Sequence, residues 1–263
     1  MKKIPKFFLN VTSVGSILSI ATLNALQLTV VGQPIPYVDG PRIIVPGRVR
    51  FVEPTEDNLS SPDDRRGRRF PSAGRICDDT GKTKVTALVP ESLIGRTVSE
   101  YPVFFFYFPQ TEAEVAEFTL QEENGNLIYQ QDLTIKNLSG VIGVSIPANK
   151  NVPPLEAGKN YRWYIALICD PEDRAADAVA RGIVRRVEQS AEILRELDAA
   201  NPRQKIFIYA ENGIWQDALG TLAAARRANP NDPDLAADWE SLLDAVKLGE
   251  IAAEPIVEIE PQP

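Results

Sequence analysis

The sequence predicts a mainly β protein with an α-helical tail, in which an antiparallel β-sandwich of the immunoglobulin or fibronectin type precedes about three helices. Three observations predict this fold. Residues 84–188 form successive short apolar segments with turn residues between them. A tyrosine-corner pattern opens the alternating segment at Tyr161. After Ser190, apolar residues recur nearly every four positions, which is the spacing of an amphipathic helix.

The tyrosine corner is predicted from the spacing of Leu155, Gly158 and Tyr161. In this motif a turn places a Tyr hydroxyl where it can hydrogen-bond backbone a few residues upstream. From Tyr161 the chain alternates, so that one face of the predicted strand carries Tyr161, Trp163, Ile165, Leu167 and Cys169. We therefore expect Leu155, Gly158, Tyr161 and Trp163 to have structural roles.

Seven strands are predicted in this block, near residues 84–89, 103–108, 114–122, 127–135, 141–146, 161–169 and 178–187. Asn124 and Gly125 separate the third strand from the fourth. Both residues tolerate the positive φ that a two-residue type I′ turn requires. The sequence therefore predicts a tight hairpin at this point.

The second of these strands is apolar or aromatic on both faces, whereas one face of a sandwich strand ordinarily meets water. We expect the helical tail to cover its outer face. The alternative is an exposed aromatic patch that binds a partner or stacks on a sugar. The candidate partner face consists of Phe104, Phe106 and Phe108, or of the helical tail around Trp215, whichever the other leaves uncovered.

Helix boundaries are predicted by capping residues. Asn201 and Pro202 suit the N-cap and first turn of one helix, which ends at Gly213. The next helix ends at residues 229–230, and a third begins at residues 232–233. The run GIWQDAL, followed by Asn and Pro, resembles a tetratricopeptide hairpin with Trp215 at its aromatic position. Because such repeats need about three neighbours to form a continuous core, we expect this tail to pack on the sandwich.

The chain divides into five predicted segments. Residues 1–32 have a cationic start and a long uncharged apolar stretch, which predicts a cleaved signal peptide or, alternatively, an uncleaved N-terminal anchor. Residues 33–75 are rich in Pro and Arg and predict a flexible arm. Residues 76–189 form the sandwich, 190–250 the helical tail, and 251–263 a flexible C-terminus.

The predicted export defines the compartment and limits the partners. Removing residues 1–32 takes away three lysines and no acid, so the remaining chain has 25 basic and 36 acidic residues, a charge of −11. That charge disfavours nucleic acid as a partner. In an exported chain the two cysteines, Cys77 and Cys169, predict a disulfide, the alternative being two buried reduced thiols.

Most catalytic chemistry has no support in the sequence. The chain contains no histidine, which excludes His-based triads and the commonest zinc sites. Acidic residues cluster at residues 78–79, 122–123 and 170–177, but neither a carboxylate hydrolase nor a calcium loop is predicted from their spacing. The basic cluster at residues 65–69 predicts a solvated linker or, alternatively, a contact with an anionic glycan, phosphate or lipid headgroup. We predict no catalytic residues, cofactor or metal.

Four segments in order resemble a known family: residues 86–109, 116–130, 155–177 and 209–219. The family is the mostly cyanobacterial, exported one catalogued as domain of unknown function 928. The resemblance implies no enzymatic activity, substrate or cofactor. We therefore expect an exported periplasmic or cell-envelope protein with a non-catalytic binding or scaffolding role, whose partner is an envelope protein or glycan. The alternatives are a carbohydrate-binding module for peptidoglycan or exopolysaccharide, and a carboxylate-based glycan hydrolase.

Overall fold

The computed structural model describes residues 47–55, 85–148 and 151–257. In these residues the chain forms nine strands and four α-helices. The strands are β1 (Thr86–Ala87), β2 (Ile94–Thr97), β3 (Val103–Phe108), β4 (Val115–Glu122), β5 (Leu127–Thr134), β6 (Gly140–Ser145), β7 (Asn160–Leu167), β8 (Ala178–Arg186) and β9 (Ile256–Val257). The helices are α1 (Ala191–Ala199), α2 (Pro202–Glu211), α3 (Trp215–Ala228) and α4 (Pro233–Asp244). The predicted β-rich domain with a helical tail is confirmed, with one helix more than expected.

The strands form two mixed sheets. One has four strands in the order β1-β3-β6-β9, and the other has five in the order β2-β8-β7-β4-β5. The prediction of a purely antiparallel sandwich is wrong, because β2 pairs parallel with β8 and β9 pairs parallel with β6. Parallel neighbours need a long crossover connection, and the helical tail supplies one between β6 and β9. None of the described helices is long and apolar enough to span a membrane.

A first hydrophobic core lies between the two sheets. The predicted alternation along β7 is confirmed, since Tyr161, Trp163, Ile165 and Leu167 are all buried in this core. Opposite them, Phe106 of β3 makes an edge contact with Trp163 at 5.6 Å between ring centroids. These inward-facing rings hold the two sheets face to face.

A second hydrophobic core lies between the four-stranded sheet and the helices. Phe105 is buried in it together with Trp215 and Trp239, whereas Phe104, Phe106 and Phe108 belong to the first core. The two-sided apolar character of β3 therefore reflects its position between two cores. The helical tail covers its outer face, as the sequence predicted.

The hairpin between β4 and β5 is present, but its predicted turn type is wrong. The loop has three residues, 123–125, in which the N–H of Gly125 donates to the Glu122 carbonyl at 2.9 Å. The positive φ falls on Gly125, at +91°, and not on Asn124. This is the pattern of a turn followed by a left-handed glycine, the common three-residue hairpin. The Asn124 side chain instead accepts a hydrogen bond from the Asn126 N–H at 2.9 Å.

The predicted helix boundaries agree with the structure. Asn201 and Gln204 form a reciprocal capping box at the start of α2, with Pro202 in the first turn. Gly213 follows α2 at a φ of +69°. Asp232 caps α4 through hydrogen bonds from the N–H groups of Asp234 and Leu235. The additional helix, α1, is capped by Ser190 and has Leu197 as its one buried residue.

Two segments predicted to be flexible are partly packed. Val49 and Phe51 of the predicted arm are buried in the second core, and the Val49 carbonyl accepts a hydrogen bond from the Ser241 hydroxyl at 2.9 Å. At the other end, β9 completes the four-stranded sheet. For these residues the prediction is wrong, because short apolar runs gain a buried position that local composition does not reveal.

Candidate binding site on the helical layer

The predicted tyrosine-corner residues lie at one end of the sandwich. The Tyr161 hydroxyl accepts a hydrogen bond from the backbone N–H of Glu156 at 2.8 Å. Gly158 has a φ of +79°, and its N–H donates to the Arg186 carbonyl at 2.7 Å. Leu155 is buried in the first core. These residues fix the connection that leads into β7, and they belong to the framework of the fold.

Replacing Tyr161 with Phe is expected to lower the free energy of unfolding by about 1 to 3 kcal/mol, because the Glu156 N–H loses its acceptor in a partly buried position. Tyr164 lies on the outer face of the same strand, and its hydroxyl makes no hydrogen bond to a described residue. Tyr164→Phe is therefore the matched control, with little expected effect. Urea unfolding of both variants measures the difference, and equal stabilities would contradict the role of the hydroxyl.

The predicted partner face is not available for binding. Phe104, Phe106 and Phe108 are at most 1% exposed, and Trp215 is 0% exposed. The prediction of an interface at these residues is wrong, because all four rings are buried in the two cores. The large hydrophobic side chains that are exposed in the described residues are Val52, Leu127 and Leu194, none of them aromatic. Every aromatic side chain of the described residues is buried or half-buried.

The acidic clusters of the described residues are engaged in local contacts. Arg174 donates to Asp177 at 2.6 Å and to Glu117 at 3.1 Å, which ties the loop before β8 to β4. Hydrogen bonds from the amides of Asn126 and Asn124 hold the pKa of Glu122 below its usual value. A general acid in glycoside hydrolysis needs a raised pKa. Among the described residues, no three His, Cys, Asp or Glu side chains come together as metal ligands.

Several sequence predictions fall wholly or partly outside the described residues. The basic cluster at residues 65–69 and the predicted leader at residues 1–32 are among them. Cys77 also lies outside, while Cys169 is partly buried against the first core just after β7. The bridge between Cys77 and Cys169 therefore stays a prediction. An intact mass two hydrogen atoms below that of the reduced chain would establish it, and equal masses would contradict it.

A buried carboxyl joins the helical tail to the five-stranded sheet. Asp217, in the first turn of α3, accepts hydrogen bonds from the Thr97 hydroxyl at 2.8 Å and from the Val98 N–H at 3.0 Å. Burial raises the pKa of Asp217 to about 6, and the two hydrogen bonds oppose this rise. Burial, followed by the charge of Asp217, raises the pKa of Tyr209 on α2. The chain thus holds a carboxyl that titrates between mildly acidic and neutral pH.

We expect Asp217→Asn to flatten the dependence of stability on pH. Because the pKa of Asp217 rises from 3.8 to about 6 on folding, its contribution is most favourable below pH 4 and is lost as pH rises through 6. The loss is at most about 3 kcal/mol, and solvent screening reduces it to roughly 1 to 2 kcal/mol. Asn keeps an acceptor for Thr97 and Val98, so the variant gains this stability at pH 8.

Urea unfolding between pH 4 and pH 8 measures this effect. Asp132 is exposed on β5, and Asp132→Asn is the matched control for the removal of one carboxylate from the chain. A variant at Asp217 that is less stable than the unmodified chain at pH 8 would contradict the prediction.

A cationic cavity lies where α3, α4 and β9 meet. It has a volume of about 480 Å³ and is lined by Arg226, Arg227, Pro230, Pro255 and Ile256. The Arg226 guanidinium lies 5.3 Å from the ring centroid of Trp239, within the range of a cation–π contact. This contact holds the guanidinium at the wall of the cavity without neutralising its charge.

Arg226 lacks the partner that a partly buried arginine ordinarily has. Its Nη1 is buried, and no described residue accepts a hydrogen bond from it. Burial lowers the pKa of Arg226, yet a guanidinium stays charged at neutral pH. The guanidinium also lines an open cavity, and its charge suits it to binding an anion there, above all a carboxylate, to which one guanidinium can donate parallel hydrogen bonds.

The sequence analysis did not find this site. The only local signal is the pair of arginines in the last turn of α3, where cations are common because they oppose the helix dipole. The cavity arises only when Trp239 of α4 and the strand β9 are brought beside them. No local spacing in the sequence reveals that arrangement.

These features define a class of protein with a mainly β domain of two facing sheets, a helical layer on one of them, and a cationic cavity on that layer. The model of the family described as Domain of Unknown Function (DUF928) matches residues 64–256. The match covers more than half of the chain, which therefore belongs to this family, as its motifs predicted. No curated protein of similar sequence was found.

Proposed function

We propose that this chain is an exported cell-envelope protein with a non-catalytic binding role, and that the cavity at Arg226 is its binding site. The observation that carries the proposal is the partly buried Arg226 guanidinium, whose Nη1 has no acceptor among the described residues. Leaving a buried charged donor unsatisfied costs free energy. The same guanidinium lines the cavity, so a carboxylate bound there offsets this cost through its charge.

The engagement of the acidic residues supports a non-catalytic role. Asp177, Glu117 and Glu122 are held by ion pairs or amide hydrogen bonds, and the pKa of Glu122 is lowered. The one described carboxyl whose pKa rises to about 6, that of Asp217, joins α3 to β2. Its role in holding the fold together accounts for its environment without a reaction.

The finer fold assignment is part of the proposal. The contact between Tyr161 and Glu156 supports an immunoglobulin-like sandwich. The burial of Trp215 and Ala218 on α3, where the helix approaches its neighbours, supports a resemblance of α2 and α3 to a tetratricopeptide hairpin. The cationic leader pattern and the two cysteines support export.

Cross-linking in intact cells tests the function. The tagged full chain is cross-linked and recovered beside two variants, the double variant Arg226→Gln/Arg227→Gln and the control Arg195→Gln, in which the replaced residue is exposed on α1. We expect one enriched envelope protein that the control recovers and the double variant loses. Recovery of wall polymer without a dominant protein would instead favour the carbohydrate-binding alternative. Equal recovery of the partner by all three chains would show that the partner binds elsewhere than in the cavity.

A further inference from the structure

We propose that the cavity at Arg226 binds an acidic peptide segment of a protein partner, with a glutamate or aspartate carboxylate placed on the Arg226 guanidinium. This inference rests on the proposed binding function and names its ligand class. The juxtaposition that carries it is a guanidinium with an unsatisfied donor, apolar walls and an open sheet edge around one cavity.

The positive charge of Arg226 favours a carboxylate as the ligand of this site. Arg226 is fixed on one side by the ring of Trp239, and its Nη1 has no acceptor among the described residues. Arg227, the next residue of α3, is exposed and lines the same cavity. The Arg226 guanidinium attracts anions, and the planar fork of arginine matches a carboxylate better than a neutral hydroxyl.

The walls of the cavity select a peptide rather than a free ion or a sugar. Pro230, Pro255 and Ile256 are apolar side chains that suit an aliphatic neighbour of the carboxylate. Ile256 belongs to β9, the last strand of the four-stranded sheet, and no described strand pairs with its other edge. An open edge offers backbone N–H and C=O groups to an extended segment. The volume of about 480 Å³ is within the usual range for ligand cavities.

Fluorescence anisotropy with a defined probe tests the ligand class. The probe is a labelled peptide of alternating valine and glutamate, and the matched control peptide has glutamine in place of glutamate. We expect the full chain to bind the glutamate peptide, with an affinity that falls as salt is added. Equal binding of the glutamine peptide would overturn the proposal.

Variants of the chain identify the group that binds. Arg226→Gln is expected to weaken binding by roughly tenfold or more. Arg226→Lys keeps the charge but loses the planar fork of arginine, so its affinity should lie between those of the unmodified chain and Arg226→Gln. Arg195→Gln should bind like the unmodified chain. Thermal unfolding followed by circular dichroism establishes that each variant is folded. If Arg226→Gln does not fold, the folded Arg226→Lys chain carries the test, with a severalfold loss of affinity expected.

Three outcomes would overturn the inference. Unchanged affinity in a folded Arg226→Gln chain would exclude this guanidinium as the carboxylate site. Binding that appears only after Glu258→Gln and Glu260→Gln would make the chain's own glutamates the occupant. Failure of the peptide, combined with Arg226-dependent recovery of a partner in the cross-linking experiment, would leave the binding function standing and exclude the acidic peptide as its ligand.

Discussion

Replacing Trp215 with alanine should lower the free energy of unfolding by about 4 to 6 kcal/mol, the largest effect we expect from a single substitution. Trp215 is 0% exposed, and its Nε1–H donates to the Leu88 carbonyl at 2.7 Å. Its ring also makes an edge contact with Phe51 at 4.9 Å between centroids. Alanine leaves a cavity where the helices, the sheet and the docked arm meet, and it leaves the Leu88 carbonyl without a donor.

A milder variant separates these two contributions. Trp215→Phe keeps most of the apolar volume and removes only the N–H, so about half of the loss should remain. Urea unfolding is followed by far-ultraviolet circular dichroism for the helices and by near-ultraviolet signals for the buried rings. If Trp215→Ala unfolds at the same urea concentration as the unmodified chain, Trp215 does not anchor the helical layer.

Gly182→Ala is expected to lower the free energy of unfolding by about 2 to 4 kcal/mol. A Cβ at this position of β8 would overlap the ring of Trp163 and lie 2.9 Å from the Leu93 carbonyl oxygen. Trp163 is 0% exposed in the first core, so the indole has no free space into which it can move. The glycine is therefore required by the close approach of the indole to the strand and not by its backbone conformation.

Gly220→Ala is the matched control, and we expect the opposite sign. Gly220 lies inside α3, and an added Cβ would meet the Phe105 ring at 3.9 Å, an ordinary contact distance. Alanine in a helix interior is favoured over glycine by about 0.5 to 1 kcal/mol. Thermal unfolding of both variants compares them directly. A destabilised Gly220→Ala would mean that the helical layer cannot accommodate one methyl group, and a neutral Gly182→Ala would mean that the indole can shift.

The strands that sequence predicts well are those with long alternating patterns. β4 and β7 each have eight residues, and their apolar periodicity follows from burial of alternate residues in the first core. β2 and β9 have four and two residues, which is too short for a periodic signal. Both are held in place by parallel pairing with strands that lie far away in the sequence. That pairing is decided by tertiary packing, which local patterns do not contain.

The prediction of an aromatic partner face failed for a related reason. Sequence analysis recognised that β3 is apolar on both faces, but it could not assign each face to a covering layer. Phe104 and Phe105 therefore looked equally available, although each lies in a different core. Conversely, Arg226 looked like an ordinary charge at a helix end. Only the tertiary structure shows that its Nη1 has no hydrogen-bond acceptor among the described residues.

The pairing of β9 with β6 has a consequence for the order in which the chain can fold. β9 is made of residues 256–257, which lie beyond the helices, while the hydrogen bond between Ser241 and Val49 joins residues 192 positions apart. A chain emerging from a ribosome therefore exposes the outer face of β3 until the helices that cover it have followed, and it leaves the edge of β6 unpaired until β9 has emerged. Contacts of such long range slow folding. We expect the chain to complete its folding only when both ends are present and to need protection from aggregation until then.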